Sequence, residues 1–474
     1  MNIAIALAAL AAATGPRFRV EPLSVEGEVF SVVAADLDGD GKKDLVAAYT
    51  TGLPPYQKRF LAIFWNDGGH FSAPQTVPVA EEEPCAFDVA PSGEVLFLTP
   101  HGVTEQSFHG RKPGAVRKLI EQATIFHQPI PGELPRLRLV HDLGVLVPGL
   151  GTLGVYKRSG EKLAELEVDL EVSGGQRGGG GARAGSVPPV SVRYQFPALF
   201  LADADGDGLT DIIAAQEDRV AVYRQQPGGG FHAQPDFTRD FAVRTAEDHR
   251  ERSSNAGVLV ADLDGDGVAD LIVRKQVFQG IASAANTTYV YMGIKGGGYA
   301  REPAQVLKGE GIGIFQVQLL DVDGDGHPDL IVPATNFGVF AIIRMLTAKT
   351  AKVEFQLFPW EVKKRRFAEA PARQRELKLH LSLSGDSDLQ AVSFQADVTG
   401  DKKPDLVFGS SEDELQIFSG FSEDALDTVK VRAAASLEPV DLDGKGRSDL
   451  ILYYPQTKGH RGEINVLINQ GPWP

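Results

Sequence analysis

The nonapeptide DLDGDGKKD at Asp36–Asp44, preceded by SVVAA and followed by LVAA, decides the fold, because it is not alone. The same pattern returns as DADGDGLTD (Asp203–Asp211), DLDGDGVAD (Asp262–Asp270) and DVDGDGHPD (Asp321–Asp329). Two looser copies follow, DVTGDKKPD (Asp397–Asp405) and DLDGKGRSD (Asp441–Asp449). Each copy lies between short runs of β-prone residues, as in ALFLA before Asp203 and LIV after Asp270. Apolar runs of four to six residues around a Gly/Asp loop predict strand, loop, strand.

Spacing counts the units. Successive copies start 167, 59, 59, 76 and 44 residues apart. The long first step leaves room for two units without the aspartates, visible as AFDVAPSGEVLFLTPHGVTEQSF from Ala86 and LRLVHDLGVLVPGLGTLGVYK from Leu137. A third strand per unit ends in a glycine turn leading to an aromatic, as in AIFWNDGGHF (Ala62–Phe71), VAVYRQQPGGGF (Val220–Phe231) and YVYMGIKGGGY (Tyr289–Tyr299). Units of about four short strands at a fixed period predict an all-β chain forming one β-propeller over residues 17–474. Eight blades account for the spacing better than seven. The last unit, from Leu437, lacks its fourth strand, and Arg17–Val25 is a strand without a blade. The N-terminal strand is therefore expected to complete the last blade and close the ring, removing two exposed edges.

Composition agrees with a strand-rich chain. The 474 residues include 52 glycines and 29 prolines, frequent punctuation that suits short strands. A net charge of -16 argues against a nucleic-acid partner, whose phosphates demand a basic surface. A single cysteine, Cys85, excludes an internal disulfide framework and a cysteine-ligated zinc site. The run Ile3–Ala13 is too short to span a bilayer and reads instead as a signal peptide over residues 1–13, although no Lys or Arg precedes it. The expected localisation is secreted or periplasmic, with no transmembrane segment. Two stretches break the period. Gly174–Pro189 reads as a flexible polar loop, and Trp360–His380, with the basic run Lys363–Arg366, reads as solvated loop rather than a basic partner site.

The aspartate loop has the donor order of a cage for a hard cation. Carboxylates at positions 1, 3 and 5 converge as the chain turns, and glycine at position 6 permits the turn. The carbonyl of residue 7 and the carboxylate at position 9 complete an oxygen shell. Without a cation, the crowded carboxylates repel and hold one another's protons. An EF-hand needs a glutamate at position 12, but that position holds Ala47, Ala214, Val273, Val332, Phe408 and Leu452.

On these loops the chain resembles FG-GAP/VCBS repeat proteins, relatives of the integrin α-subunit propeller. The resemblance implies a loop that joins the first two strands of a blade and binds Ca2+. It implies as ligands Asp36, Asp38, Asp40 and Asp44; Asp203, Asp205, Asp207 and Asp211; Asp262, Asp264, Asp266 and Asp270; and Asp321, Asp323, Asp325 and Asp329. In the fifth loop it maps Asp397, Thr399, Asp401 and Asp405, with Lys402 in place of the glycine. In the sixth it maps Asp441, Asp443 and Asp449, with Lys445 in a ligand position. Four to five occupied sites are expected, the Asp441 loop binding little or nothing.

Catalytic signatures are absent: there is no G-x-S-x-G, HExxH, Walker loop or G-x-G-x-x-G after a strand, and the ten histidines are scattered. The expected function is a calcium-stabilised propeller acting as a protein- or carbohydrate-binding or adhesion module at the cell envelope, not an enzyme. The alternative is a propeller enzyme such as a calcium-dependent polysaccharide lyase. That chemistry needs a base and cationic groups in one groove, and no Lys/Arg/His cluster supplies them.

Overall fold

The computed structural model describes residues 17–53, 56–80, 83–128, 132–176, 190–251, 253–278, 284–311, 315–335, 347–380 and 387–473. The expected signal peptide lies outside these. Eight four-stranded antiparallel sheets form the blades of one propeller. Blade 1 is Glu28–Ala35, Asp44–Thr51, Lys58–Phe64 and Gln75–Pro78, paired in that order. Blades 4 and 5 begin with Ala198–Ala202 and Ser254–Ala261, blade 6 with Gln318–Leu320, and blade 7 with Val392–Ala396. The two units without aspartates are blades 2 (Ala86–Glu121) and 3 (Val140–Glu167), so the gap in the motif holds two complete blades.

Ring closure follows the expected route. Blade 8 takes Ser436–Val440, Asp449–Tyr453 and Glu463–Asn469 from the C-terminal end, and Phe18–Ser24 as its fourth strand. Phe18 pairs with Asn469 and Ser24 with Glu463, so seven residues of continuous register join the two ends of the chain.

The core is shared between blades. Eight apolar clusters each combine two neighbouring blades; one packs Val33, Val46 and Leu61 of blade 1 on Phe87 and Phe97 of blade 2. The cluster of Leu45, Ala47 and Phe64 with Ile451, Val466 and Ile468 seals blade 8 to blade 1. A second strand therefore has a blade on each face. In Asp44–Thr51 every residue but the last is buried, which is why these strands read as unbroken apolar runs rather than alternation.

The two interruptions resolve differently from a pair of plain loops. Glu171–Gln176 pairs with Val190–Gln195 as a hairpin, while residues 177–189 lie outside the described set. Within the second stretch, Arg373–His380 is the outer strand of blade 6, paired with Thr350–Phe358. Its alternation of apolar Leu377 and Leu379 with charged residues was the available signal.

Candidate metal centres

All six aspartate loops join the first strand of a blade to the second. Ala35 pairs with Asp44, Ala202 with Asp211, Ala261 with Asp270, Leu320 with Asp329, Ala396 with Asp405 and Val440 with Asp449. They belong to blades 4, 5, 6, 7, 8 and 1, an unbroken arc of the ring.

Within the loops each aspartate has its own task. Position 1 holds the turn: Asp36 accepts Gly39 N–H at 2.7 Å on one oxygen and Gly41 N–H at 2.9 Å on the other. Asp203, Asp262 and Asp321 do the same for their glycines. Position 5 accepts the amide of residue 7, as Asp40 does from Lys42 and Asp266 from Val268. The residue at position 6 has positive φ throughout, 85° at Gly41 and 85° at Gly267. Lys402 is forced to φ 68° in the fifth loop, a conformation costing roughly 1–2 kcal/mol for a residue with a Cβ.

Position 9 is a clasp. Asp270 takes Leu263 N–H at 2.9 Å on one oxygen and Gly293 N–H, from the end of the third strand, at 2.7 Å on the other. The same pair of bonds occurs at Asp44 (Leu37, Asn66), Asp211 (Ala204, Gln225), Asp329 (Val322, Trp360) and Asp449 (Leu442, Asn469). At Asp405 the first oxygen is bonded by Val398 and Thr399, but the second is buried without a hydrogen-bond partner among the described residues. Burial raises these carboxyls, to about 6 at Asp44, Asp211, Asp329, Asp405 and Asp449 and to about 7 at Asp270. Neighbouring carboxylates add to the rise, while the backbone amides oppose it.

In five loops three carboxylates bring oxygens within 4.8 Å of one another: Asp36/Asp38/Asp40, Asp203/Asp205/Asp211, Asp262/Asp264/Asp270, Asp321/Asp323/Asp325 and Asp441/Asp443/Asp449. Asp207 and Asp266 remain on their loops beside these triples. Among the described residues the Asp397 loop shows no such triple, because Thr399 replaces one carboxylate and leaves Asp397, Asp401 and Asp405 more spread.

Cations approach position 3 from outside. Arg111 of blade 2 reaches Asp38 Oδ2 at 2.7 Å and also pairs with Asp67; Arg224 reaches Asp205 Oδ2 at 3.1 Å. Arg365, from the basic run in blade 6, pairs with Asp264. Lys364 and Arg366 of that run pair with nearby glutamates, while Arg365 alone among the described pairs reaches an aspartate loop, which the charge pattern did not show. In the Asp441 loop, Lys445 Nζ sits 2.6 Å from Asp443 Oδ2. The Asp36 loop also has Lys42 Nζ 3.0 Å from Asp40 Oδ2, so two cations offset two of its four aspartates, while in the Asp441 loop Lys445 offsets one of three. A set of convergent carboxylate oxygens with excess negative charge suits a hard divalent cation and not a soft one.

Neighbouring loops touch. Ala269 N–H bonds the Asp203 carbonyl at 2.7 Å, Ser448 N–H the Asp397 carbonyl at 2.6 Å, and Lys43 N–H the Leu442 carbonyl at 3.3 Å. His327 Nδ1 lies 3.0 Å from the Leu263 carbonyl, and Lys403 Nζ bonds the Asp323 carbonyl. Two asparagines at third-strand ends add bridges: Asn66 bonds the Lys43 and Leu442 carbonyls, and Asn469 those of Val398 and Ser448. The motif search missed both, since only an amide after the third strand marked them.

These features define a class: an eight-bladed propeller with acidic first-turn loops stitched along one arc. The FG-GAP-like repeat model matches residues 203–273, which span blade 4 and the loop of blade 5. The chain is an eight-bladed β-propeller that carries an FG-GAP-like repeat over residues 203–273. No curated protein matches it. Similar solved structures include BamB from Moraxella catarrhalis, at 11% identity and TM-score 0.44, covering 93% of this chain and 98% of that one. Chaetomium thermophilum Sqt1 bound to the N-terminus of ribosomal protein L10 is 9% identical at TM-score 0.43, covering 95% and 100%. Likeness at this level says nothing about function. Among the described residues no helix is long and apolar enough to cross a membrane.

Proposed function

We propose that this protein is a calcium-stabilised propeller that works outside the cytoplasm as a binding or adhesion module for a protein or carbohydrate. The observation that carries the calcium reading is the convergence of three carboxylates in each of five equivalent loops. Five triples, two at positions 1, 3 and 5 and three at positions 1, 3 and 9, fit calcium's demand for several oxygens in a flexible shell. Loops of this kind serve where calcium is millimolar, which agrees with the expected export and with a chain that keeps one buried cysteine, Cys85. The binding role rests on the architecture, since propellers present their faces and rims to partners and host many unrelated activities.

Calorimetric titration of calcium into chelator-stripped protein tests the reading. Four to five sites are expected, with a melting temperature that rises on binding. Fewer than two sites, or a melt indifferent to chelator, would overturn it.

A further inference from the structure

At the ends of blades 4 to 6 remote from the aspartate loops, the first strands begin and the second strands finish around a cavity of about 700 Å3. Its walls include Phe196, Phe200, Val258, Leu259, Phe315 and Val317. Between these walls come two second-strand side chains, Gln216 at the far end of Asp211–Gln216 in blade 4 and Arg274 in the middle of Asp270–Phe278 in blade 5.

Arg274 pairs across the sheet with Gly257 and Thr288, and among the described residues no carboxylate acts on it. Its Nε and Nη2 are buried with no hydrogen-bond partner among the described residues, and so is Gln216 Nε2. Burial alone pushes the guanidinium down to about 10, with no acidic neighbour opposing the shift. Three donor nitrogens therefore border one cavity without an acceptor. Buried polar groups are almost always satisfied, and an unpaired buried charge is among the costliest features a fold can keep. The neighbouring polar side chains do not answer them. Gln276 is turned to Asn286 and the Gly311 carbonyl, and Glu217 forms an ion pair with Arg244.

We propose that this cavity is a binding site for a monocarboxylate with an apolar body, the carboxylate lying on the Arg274 guanidinium and the Gln216 amide. An arginine fork matches a planar carboxylate, with two parallel N–H bonds to its two oxygens. A monoanion matches the single unpaired cation. A phosphate dianion would bring a second charge into an apolar cavity that already holds Glu217 on its wall. The aromatic and branched walls take the rest of the ligand, and the volume lies in the range of small-molecule sites. The site goes beyond the calcium reading and does not depend on it, since strand-length separates it from the loops.

Benzoate is the probe, with benzamide as its neutral counterpart and inorganic phosphate as the competing anion. Saturation-transfer NMR and thermal melts on the full chain, in calcium and in chelator, read binding separately from cation occupancy. Benzoate should bind in both conditions and raise the melt, and benzamide should not. Arg274→Met should weaken benzoate on the order of 30-fold or more, the loss expected when one partner of a desolvated charge pair is removed. It should not lower the melting temperature of the ligand-free protein, because it deletes an unpaired charge. Gln216→Ala, a milder change, should weaken benzoate several-fold and leave the fold intact. Equal binding of benzoate and benzamide, binding of phosphate instead of benzoate, no binding of any probe, or a marked drop in the ligand-free melt of Arg274→Met would each overturn the proposal.

Discussion

Replacing Asp270 with alanine separates the clasp from the cation. Asp270 holds two buried amides, Leu263 N–H at 2.9 Å and Gly293 N–H at 2.7 Å. These bonds tie the loop to the end of the third strand and exist without any metal. A buried donor stripped of its acceptor costs about 1–3 kcal/mol, so two cost about 2–6 kcal/mol. Part is returned because the mutation also removes a carboxylate that burial disfavours in its charged form. The net loss in chelator is about 2–4 kcal/mol on this reasoning. Asp264→Ala is the control. Its partner Arg365 is 60% exposed, and pairs with one partner in solvent contribute about 1 kcal/mol or less. Denaturant unfolding in chelator should therefore rank Asp270→Ala well below both wild type and Asp264→Ala. Hydrogen exchange should show the Leu263 and Gly293 amides losing protection only in Asp270→Ala. With saturating calcium both variants should fall further below wild type by a similar amount, since each then lacks a cation ligand, and the gap between them should persist. Equal destabilisation in chelator, or unchanged exchange at Leu263 and Gly293, would refute the clasp.

Three further outcomes follow from the same geometry. The position 9 carboxyls, raised to about 6 or 7 by burial, favour folding while protonated. Chelator-treated protein should lose that stability as the pH rises from about 4 to 7, and calcium should flatten the slope, as melts across this window will show. Deleting Phe18–Ser24 exposes Glu463–Asn469 as an unpaired edge, so the truncated chain should aggregate or melt early in size-exclusion and thermal assays. Asp264→Ala should remove one calcium in titration calorimetry and lower the calcium-dependent melt, whereas Asp443→Ala should remove little, because Lys445 stands in place of the carboxylate at position 5 and pairs with Asp443. At free calcium roughly 100 times the dissociation constant, one lost site is worth about 2.7 kcal/mol.

Much of this fold was legible because a propeller repeats its physics. A nine-residue loop between two apolar runs marks a blade wherever it occurs, and step lengths near 59 residues counted the two blades that have lost the aspartates. The closing strand was legible too, since Phe18–Ser24 had no blade of its own and the last unit lacked one strand. The partners of the loops were not legible. Arg111 meets Asp38 across 73 residues, and Arg365 meets Asp264 across 101. Nothing local in the sequence separates Arg365 from Lys363 or Lys364 beside it. Its left-handed backbone, at φ 50° after a short 3-10 turn, points it back toward blade 5. Such a contact depends on how two blades face each other, which repeat spacing does not encode.

The second task of position 9, beside its place in three of the carboxylate triples, was not legible for a related reason. A sequence reading can count four aspartates but cannot see that one of them has both oxygens committed to backbone amides. Once that is known, the loops look less like isolated cages than like joints of the ring. Five of the six are fastened to their own third strand by position 9, the Asp397 loop being the exception. Along the arc each also leans on the preceding blade through residues at positions 7 and 8, as Ala269 does on Asp203, His327 on Leu263 and Ser448 on Asp397. A cation bound at positions 1 and 3 together with position 5 or 9 would stiffen the turn that these residues grip, so its effect passes to two blades at once. The stitch continues beyond the motif: a Cβ on Gly93, in the first turn of blade 2, would lie 2.5 Å from the Asp36 carbonyl oxygen. Glycine at that position lets a blade without aspartates keep the same close seat against its neighbour. Contact between the turns is thus a property of the ring, and the carboxylates are an addition that six of the eight blades carry.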